Sequence, residues 1–130
     1  MNSAKKKQRL KRKALRLWFE AYIQPNCELC PNRAIQLHHF YYKGSYPYAR
    51  YLKSNGISLC RGCHFVLHHK DPKKMEERII DKRGIKWLNK LKEDREIRPK
   101  MFDSILYYEK IVQELKEKAT RKDSTKDNSI

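Results

Sequence analysis

Cys27-Glu28-Leu29-Cys30 and Cys60-Arg61-Gly62-Cys63 are the two segments that decide the fold of this chain. Each is a Cys-x-x-Cys knuckle, a turn in which backbone amides face the sulfur atoms and two thiolates point at one ion. Together they predict a closed structural Zn²⁺ site with four thiolate ligands, Cys27, Cys30, Cys60 and Cys63. The alternative interpretation is that the four cysteines are incidental buried residues that bind no metal. Their spacing argues against this, because it matches that of zinc sites. The zinc would tie the segment before His38 to the segment that carries His64.

The bulk composition indicates one small domain with appendages. The chain has 130 residues, of which 35% are charged. Few apolar residues are therefore left for a hydrophobic core, and we expect a bound metal ion to stabilise the fold. No apolar run is long enough to span a membrane, and the charged N-terminus lacks the apolar core of a secretory signal. We therefore expect a cytoplasmic protein of a bacterium or a phage-infected host, with a nuclear or organellar location left open. A reducing compartment favours metal binding over disulfides.

The positive charge is concentrated in two segments, residues 1–16 and residues 25–70. The net charge is +16, and residues 1–16 hold eight basic residues and no acid. Residues 25–70 hold six basic residues and a single acid, Glu28. A basic arm beside a basic core predicts a phosphate-backbone partner, DNA or alternatively RNA. The alternative for the arm is a solubilising or targeting segment.

The apolar spacing predicts the order of elements. A helix over 4–23 ends at Pro25, residues 34–40 form a strand, and a second short strand covers 57–59. Cys60 opens a helix to about Lys70, two helices over 72–82 and 85–96 are split at Gly84, and a last helix begins at Pro99. The predicted parts are therefore a basic arm (1–24), a core (25–70), a helical extension (71–119) and a disordered tail (120–130).

The histidines and one asparagine resemble the HNH endonuclease family. His38 and His39 stand on the first strand, Asn55 follows sixteen residues after His39, and His64 lies nine residues further, directly after the second knuckle. The resemblance covers residues 27–69 and implies a ββα-metal fold with one catalytic divalent cation. The fold class is then α+β: a small, treble-clef-like zinc core with an N-terminal basic helix and a C-terminal helical extension. The small size and the basic arm also look like phage or mobile-element HNH proteins, including those that cut branched recombination intermediates.

The resemblance also implies roles for single residues. His38 would bind the metal, His39 would be the general base, and Asn55 would orient the ribbon or the base ring through its amide. His64 would bind the ion, and His68, which lies at i+4 from His64, can point at the same place. An exposed helix histidine is the alternative for His68. Since 25–70 contains one carboxylate, imidazoles must hold the ion, and they accept Mg²⁺, Mn²⁺, Ni²⁺ or Zn²⁺.

Basic side chains around this centre are candidates for phosphate contacts. The loop 41–54 interleaves five tyrosines with basic residues that could hold DNA, although some of these tyrosines could instead cover a thin core. Arg61 is either a phosphate contact or a solvated knuckle residue. The candidate nucleic-acid-binding residues are Lys43, Arg50, Lys53 and Arg61 in the core, and Lys5, Lys6, Lys7, Arg9, Lys11, Arg12 and Lys13 in the arm.

These patterns predict a zinc-supported HNH endonuclease that hydrolyses phosphodiester bonds in DNA. The alternative is a non-catalytic zinc-containing DNA- or RNA-binding protein with an HNH-like fold. A third possibility is a nuclease subunit that docks into a larger assembly through residues 72–119. The sequence leaves the oligomeric state open.

Overall fold

The expected α+β class is confirmed. The computed structural model describes residues 2–128, with side chains as far as Lys122. Within these residues it has five helices and one two-stranded antiparallel sheet. The elements are α1 (Ser3–Tyr22), β1 (Gln36–His39), β2 (Gly56–Leu59), α2 (Arg61–His69), α3 (Pro72–Arg83), α4 (Ile85–Asp94) and α5 (Ile105–Asn128).

The chain forms two compact units, and the candidate chemistry lies in one of them. The first unit consists of α1, α5 and the turn before α5, and the second covers Ile23–Ile97. The second unit therefore contains α3 and α4 as well as the hairpin and α2, whereas the predicted core ended at residue 70. The predicted docking range 72–119 is divided between the two units.

In the first unit, α1 packs along α5 through its apolar stripe. Ala14, Leu17, Trp18 and Ala21 are buried on α1, and Tyr107, Tyr108, Val112 and Leu115 are buried on α5. The stripe follows the i, i+3, i+4 spacing of an amphipathic helix, so the basic side chains are left on the other faces. Helix α1 begins at Ser3, so its highly charged first turns are helical in this structure.

Helix α5 begins later than its sequence predicts. Residues Met101 and Asp103 have positive φ angles of 56° and 65°, which the right-handed helix does not allow. The Ser104 hydroxyl accepts a hydrogen bond from the Tyr107 amide at 3.1 Å and caps the helix start. A helix that begins at Pro99 is therefore wrong, because a turn and a new cap intervene. The helix runs to Asn128, into the range 120–130 predicted as disordered, and residues 129–130 of that range lie outside the described ones.

The second unit is built on a short hairpin closed by a long loop. Strand β1 pairs antiparallel with β2 in the register Gln36 to Leu59, Leu37 to Ser58, His38 to Ile57 and His39 to Gly56. Helix α2 follows β2 directly, with Cys60 as its N-cap. A core of Cys27, Ile57, Leu59, Cys60, Leu67, Met75 and Ile79 joins the knuckles, β2, α2 and α3.

Gly84 separates α3 from α4, as predicted. Its φ of 97° and ψ of 160° lie in a region that is essentially restricted to glycine. The Gly84 amide still donates to the Ile80 carbonyl at 2.7 Å, so the last turn of α3 keeps its hydrogen bond before the chain turns into α4. None of the helices in residues 2–128 has the length and the apolar content needed to cross a membrane.

Candidate metal centres

The four cysteines come together as one cluster in the second unit. All four sulfur atoms lie within 4.8 Å of one another, with Cys30 Sγ 3.4 Å from Cys60 Sγ and 3.8 Å from Cys63 Sγ. A Zn²⁺ ion with Zn–S distances of about 2.3 Å requires sulfur–sulfur separations of about 3.8 Å. The cluster therefore fits one tetrahedral zinc ion, and no position is left over for a water ligand.

Backbone amides near the cysteines support a thiolate at Cys60, whereas burial raises the pKa of Cys63. The Leu29 amide donates to Cys27 Sγ at 3.4 Å, and the Cys63 amide donates to Cys60 Sγ at 3.4 Å. In each knuckle the sulfur of the first cysteine accepts from a backbone amide, two residues later in the first knuckle and three residues later in the second. The hydrogen bond from the Cys63 amide lowers the pKa of Cys60 to about 7, which favours the ionised form that binds metal.

Three histidines form a second cluster between the hairpin and α2. Each of His38, His64 and His68 offers a ring nitrogen within 4.8 Å of the nitrogens of the other two. The ring centroids of His64 and His68 are 4.4 Å apart, and the His38 ring lies 6.1 Å and 5.4 Å from them. The structure thus brings together the three residues that the sequence analysis named as ligands of a catalytic cation.

The surroundings of His38 and His64 favour the neutral imidazole, which is the form that binds a metal. Burial, and then the neighbouring rings of His68, His64 and His39, lower the pKa of His38 to about 3. Burial and the charges of His68 and His69 also lower the pKa of His64. Three imidazoles with no carboxylate among them fit a divalent ion that accepts nitrogen ligands. His68 is exposed, so this cluster opens toward solvent, unlike the cysteine cluster.

The His39 side chain points into the loop 41–54, in a different direction from that of His38. Its Nε2–H donates to the Arg50 carbonyl oxygen at 2.9 Å, and this bond fixes the tautomer in which Nδ1 is the basic nitrogen. Burial, partly opposed by that bond, lowers the pKa of His39 to about 4. Neighbours on a flat strand face opposite sides. Even so, the charge of His39 contributes to the lowered pKa of His38.

Asn55 holds the two ends of the loop that carries Arg50. Its side chain is fully buried, and its Oδ1 accepts from the Tyr41 amide at 2.8 Å. Its Nδ2 donates to the carbonyl oxygens of Tyr41 and Ala49, both at 3.1 Å. Of the two predicted roles, the amide therefore performs the first: it fixes the ribbon and the loop. It is linked to the partner of His39 through the Ala49 carbonyl, next to Arg50.

The candidate phosphate contacts differ in accessibility. Lys43, Lys53 and Arg61 are exposed. Arg50 is partly buried, its Nε is inaccessible, and its Nη2 donates to the Lys43 carbonyl at 3.3 Å, so this side chain braces the loop. Among the loop tyrosines, Tyr51 is buried, and Tyr41 and Tyr46 enclose the Arg95 guanidinium at 4.6 Å and 4.7 Å from their ring centroids.

The arm residues also fall into two groups within their unit. Lys7 forms an ion pair with Asp103 at 3.2 Å, and Lys11 Nζ lies 5.9 Å from the centre of the Tyr108 ring. These two side chains therefore turn toward the turn before α5 and α5 itself, and Lys13 is partly buried. Four basic side chains stay exposed, namely Lys5, Lys6, Arg9 and Arg12.

Arg83 is a site residue that the sequence analysis missed. Its guanidinium forms an ion pair with Glu28, through Nε at 2.9 Å and through Nη2. It also donates to the carbonyl oxygens of Ser54 at 3.0 Å and Gly56 at 2.7 Å, on both sides of Asn55. The sequence feature that could have indicated this contact is Glu28 itself. As the single acid in residues 25–70, it is a natural partner for a cationic side chain, and that side chain is Arg83.

The chain matches no protein-family model, and comparisons with curated proteins and with solved structures likewise gave no match.

Proposed function

We propose that this protein is a zinc-supported, metal-dependent endonuclease of HNH type that hydrolyses phosphodiester bonds in DNA. The observation that carries the proposal is the convergence of His38 from the hairpin with His64 and His68 from α2, all within 4.8 Å. We further propose that the hairpin and α2 constitute a ββα-metal, treble-clef-like core around the four-cysteine zinc.

The chain supplies each part that hydrolysis of a phosphodiester needs. His38, His64 and His68 would hold a divalent cation, which would offset the negative charge that develops on the phosphate and on the leaving 3′ oxygen. His39 accepts the proton of the attacking water on Nδ1, since the Arg50 carbonyl occupies its Nε2–H. Asn55 keeps that carbonyl in place through its bonds to the loop backbone.

The exposed basic residues hold the substrate. Arg61 lies on α2, and Lys43 and Lys53 lie in the loop between β1 and β2. In this proposal they contact phosphates on either side of the bond that breaks. The near absence of acids in 25–70 keeps this face attractive to a polyanion. The cation is Mg²⁺, Mn²⁺, Ni²⁺ or Zn²⁺, whereas the cysteine cluster selects Zn²⁺.

Incubation with supercoiled plasmid tests the activity. We expect conversion to nicked or linear DNA in the presence of at least one of the four ions, and no conversion when no ion is added to the zinc-loaded protein. The ions are tested one at a time, and a four-way junction is included beside the plasmid. Binding of DNA without a cut under every condition would reject the nuclease and favour a non-catalytic DNA- or RNA-binding protein.

We also expect the arm to add affinity without sequence choice. Replacing Lys5, Lys6, Arg9 and Arg12 with alanine removes four exposed positive charges of the arm and leaves Arg16, which pairs with Glu20. Each lost phosphate contact changes the slope of log K against log salt by about 0.9, so the slope should fall by about 3–4. Measurement of the dissociation constant at several salt concentrations gives the slope, and the cleavage position should stay the same.

The matched control removes the same charge from α5. Lys110, Lys116, Lys118 and Arg121 are also exposed. Their replacement should leave the slope nearly unchanged. Equal changes in the two variants would mean that net charge alone acts and that the arm makes no phosphate contacts of its own.

A further inference from the structure

Helix α2 carries two parallel rows of side chains. His64 and His68 form the row that belongs to the histidine cluster, while Arg61, Phe65 and His69 form a second row at the same i, i+4 spacing. Successive residues of a helix are rotated by 100° and rise by 1.5 Å, so Phe65 lies beside His64 at nearly the same height. The second row is exposed along its whole length.

Phe65 stands out within that row because its surroundings are cationic. The side chain is 51% exposed. An isolated exposed apolar residue needs no explanation. Here, however, the His69 ring lies 4.9 Å from the Phe65 ring, and Lys70 Nζ lies 6.0 Å from its centre. With Arg61 one turn earlier, a flat aromatic face is thus flanked by basic groups.

We propose that Phe65 is a stacking platform for an unpaired nucleobase next to the bond that is cut, with Arg61, His69 and Lys70 on the adjoining phosphates. The proposal rests on the proposed function and specifies its substrate class. An aromatic ring between basic groups has the chemistry by which proteins hold single-stranded nucleic acid, in which the ring stacks on a base and the cations track the backbone. Charge complementarity argues for this occupant over an apolar peptide, which would gain nothing from the cations.

The stacking interaction discriminates between DNA structures. In a paired duplex each base is covered on both faces by its neighbours, so a protein ring meets only edges, sugars and phosphates. An unpaired nucleotide at a gap, bulge, flap or junction can turn a face outward at small cost. The substrate class is therefore DNA with an unpaired nucleotide beside the scissile phosphate.

The test compares two DNAs of equal length, one fully paired and one with a short single-stranded gap, with Ca²⁺ in place of the activating ion. The full chain should bind the gapped DNA more tightly. Phe65→Ala should weaken binding to the gapped DNA about 5- to 150-fold, the range expected from loss of one stacked base. Its affinity for the paired DNA should stay the same.

Three further variants separate stacking from other causes. Phe65→Leu keeps an apolar group without a flat face and should bind as weakly as Phe65→Ala, whereas Phe65→Trp should restore the preference for the gap. Ile85, which is 61% exposed on α4, provides the control: Ile85→Ala should change neither affinity. Equal loss on both DNAs, or full binding by Phe65→Leu, would overturn the proposal.

The result is separable from the test of nuclease activity. A preference for gapped DNA that depends on an aromatic residue 65, in a chain that never cuts, would reject the nuclease and keep the platform. Normal cutting by Phe65→Ala, with an unchanged preference for the gap, would reject the platform and keep the nuclease.

Discussion

Cys60→Ser is expected to yield a chain that is unfolded or insoluble. Cys60 donates one of the four sulfur atoms, caps α2 and lies buried in the core of the second unit. Binding of a structural zinc contributes about 10–16 kcal/mol of apparent free energy in small zinc domains, while a whole domain is stable by only about 5–15 kcal/mol. Loss of the zinc should therefore exceed the stability that the rest of the unit can provide.

Two measurements check this expectation. Elemental analysis of the parent protein after a brief wash with EDTA should retain about one zinc per chain, because the site has no open position. The circular dichroism of Cys60→Ser should lose the part of its helical signal that α2, α3 and α4 contribute, and Cys27→Ser, which alters the first knuckle, should behave in the same way. A Cys60→Ser protein with the parent spectrum and the parent melting temperature would show that the cluster is not what holds the fold.

His39→Ala is expected to lose cleavage by about 10²- to 10⁴-fold, the usual contribution of a positioned general base. Binding of DNA should be unchanged, since the ring is directed at the Arg50 carbonyl and not outward. His64→Ala should also lose cleavage, but because it weakens the cation site. High Mn²⁺ should therefore restore part of the activity of His64→Ala and none of that of His39→Ala.

Single-turnover rates on one DNA at saturating protein give the comparison. Asn89→Ala is a suitable control, because Asn89 is exposed on α4 and lies outside the proposed machinery. Its rate should equal that of the parent. If His39→Ala cut DNA at the parent rate, another group would have to take the proton, and the assignment of the base to His39 would be wrong.

The residues that could be predicted from the sequence are those whose spacing is itself the signal. Two Cys-x-x-Cys turns must each present their sulfur atoms together, and histidines at i and i+4 must share a helix face. Their convergence with His38 follows from a hairpin that leads directly into α2. The break at Gly84 could also be predicted, because glycine interrupts an otherwise helical pattern.

The rest depends on contacts between distant parts of the chain, which leave no local pattern. Arg83 is 55 residues from Glu28, and Arg95 lies between Tyr41 and Tyr46 from a different element. The start of α5 depends on the left-handed turn at Met101 and Asp103, residue types that give little warning of such a conformation. The bond from His39 to Arg50 uses a backbone carbonyl, and every residue has one.

The Arg83 clamp has a consequence for the order in which this unit is completed during synthesis. Every cysteine and histidine of the two clusters precedes residue 70, yet the guanidinium that secures Ser54 and Gly56 on either side of Asn55 comes later, at the end of α3. When a growing chain has just released its last candidate ligand, the turn around Asn55 still lacks this contact. The ribosome must therefore deliver α3 before the arrangement is complete, and any activity that depended on it would begin only once most of the unit has emerged.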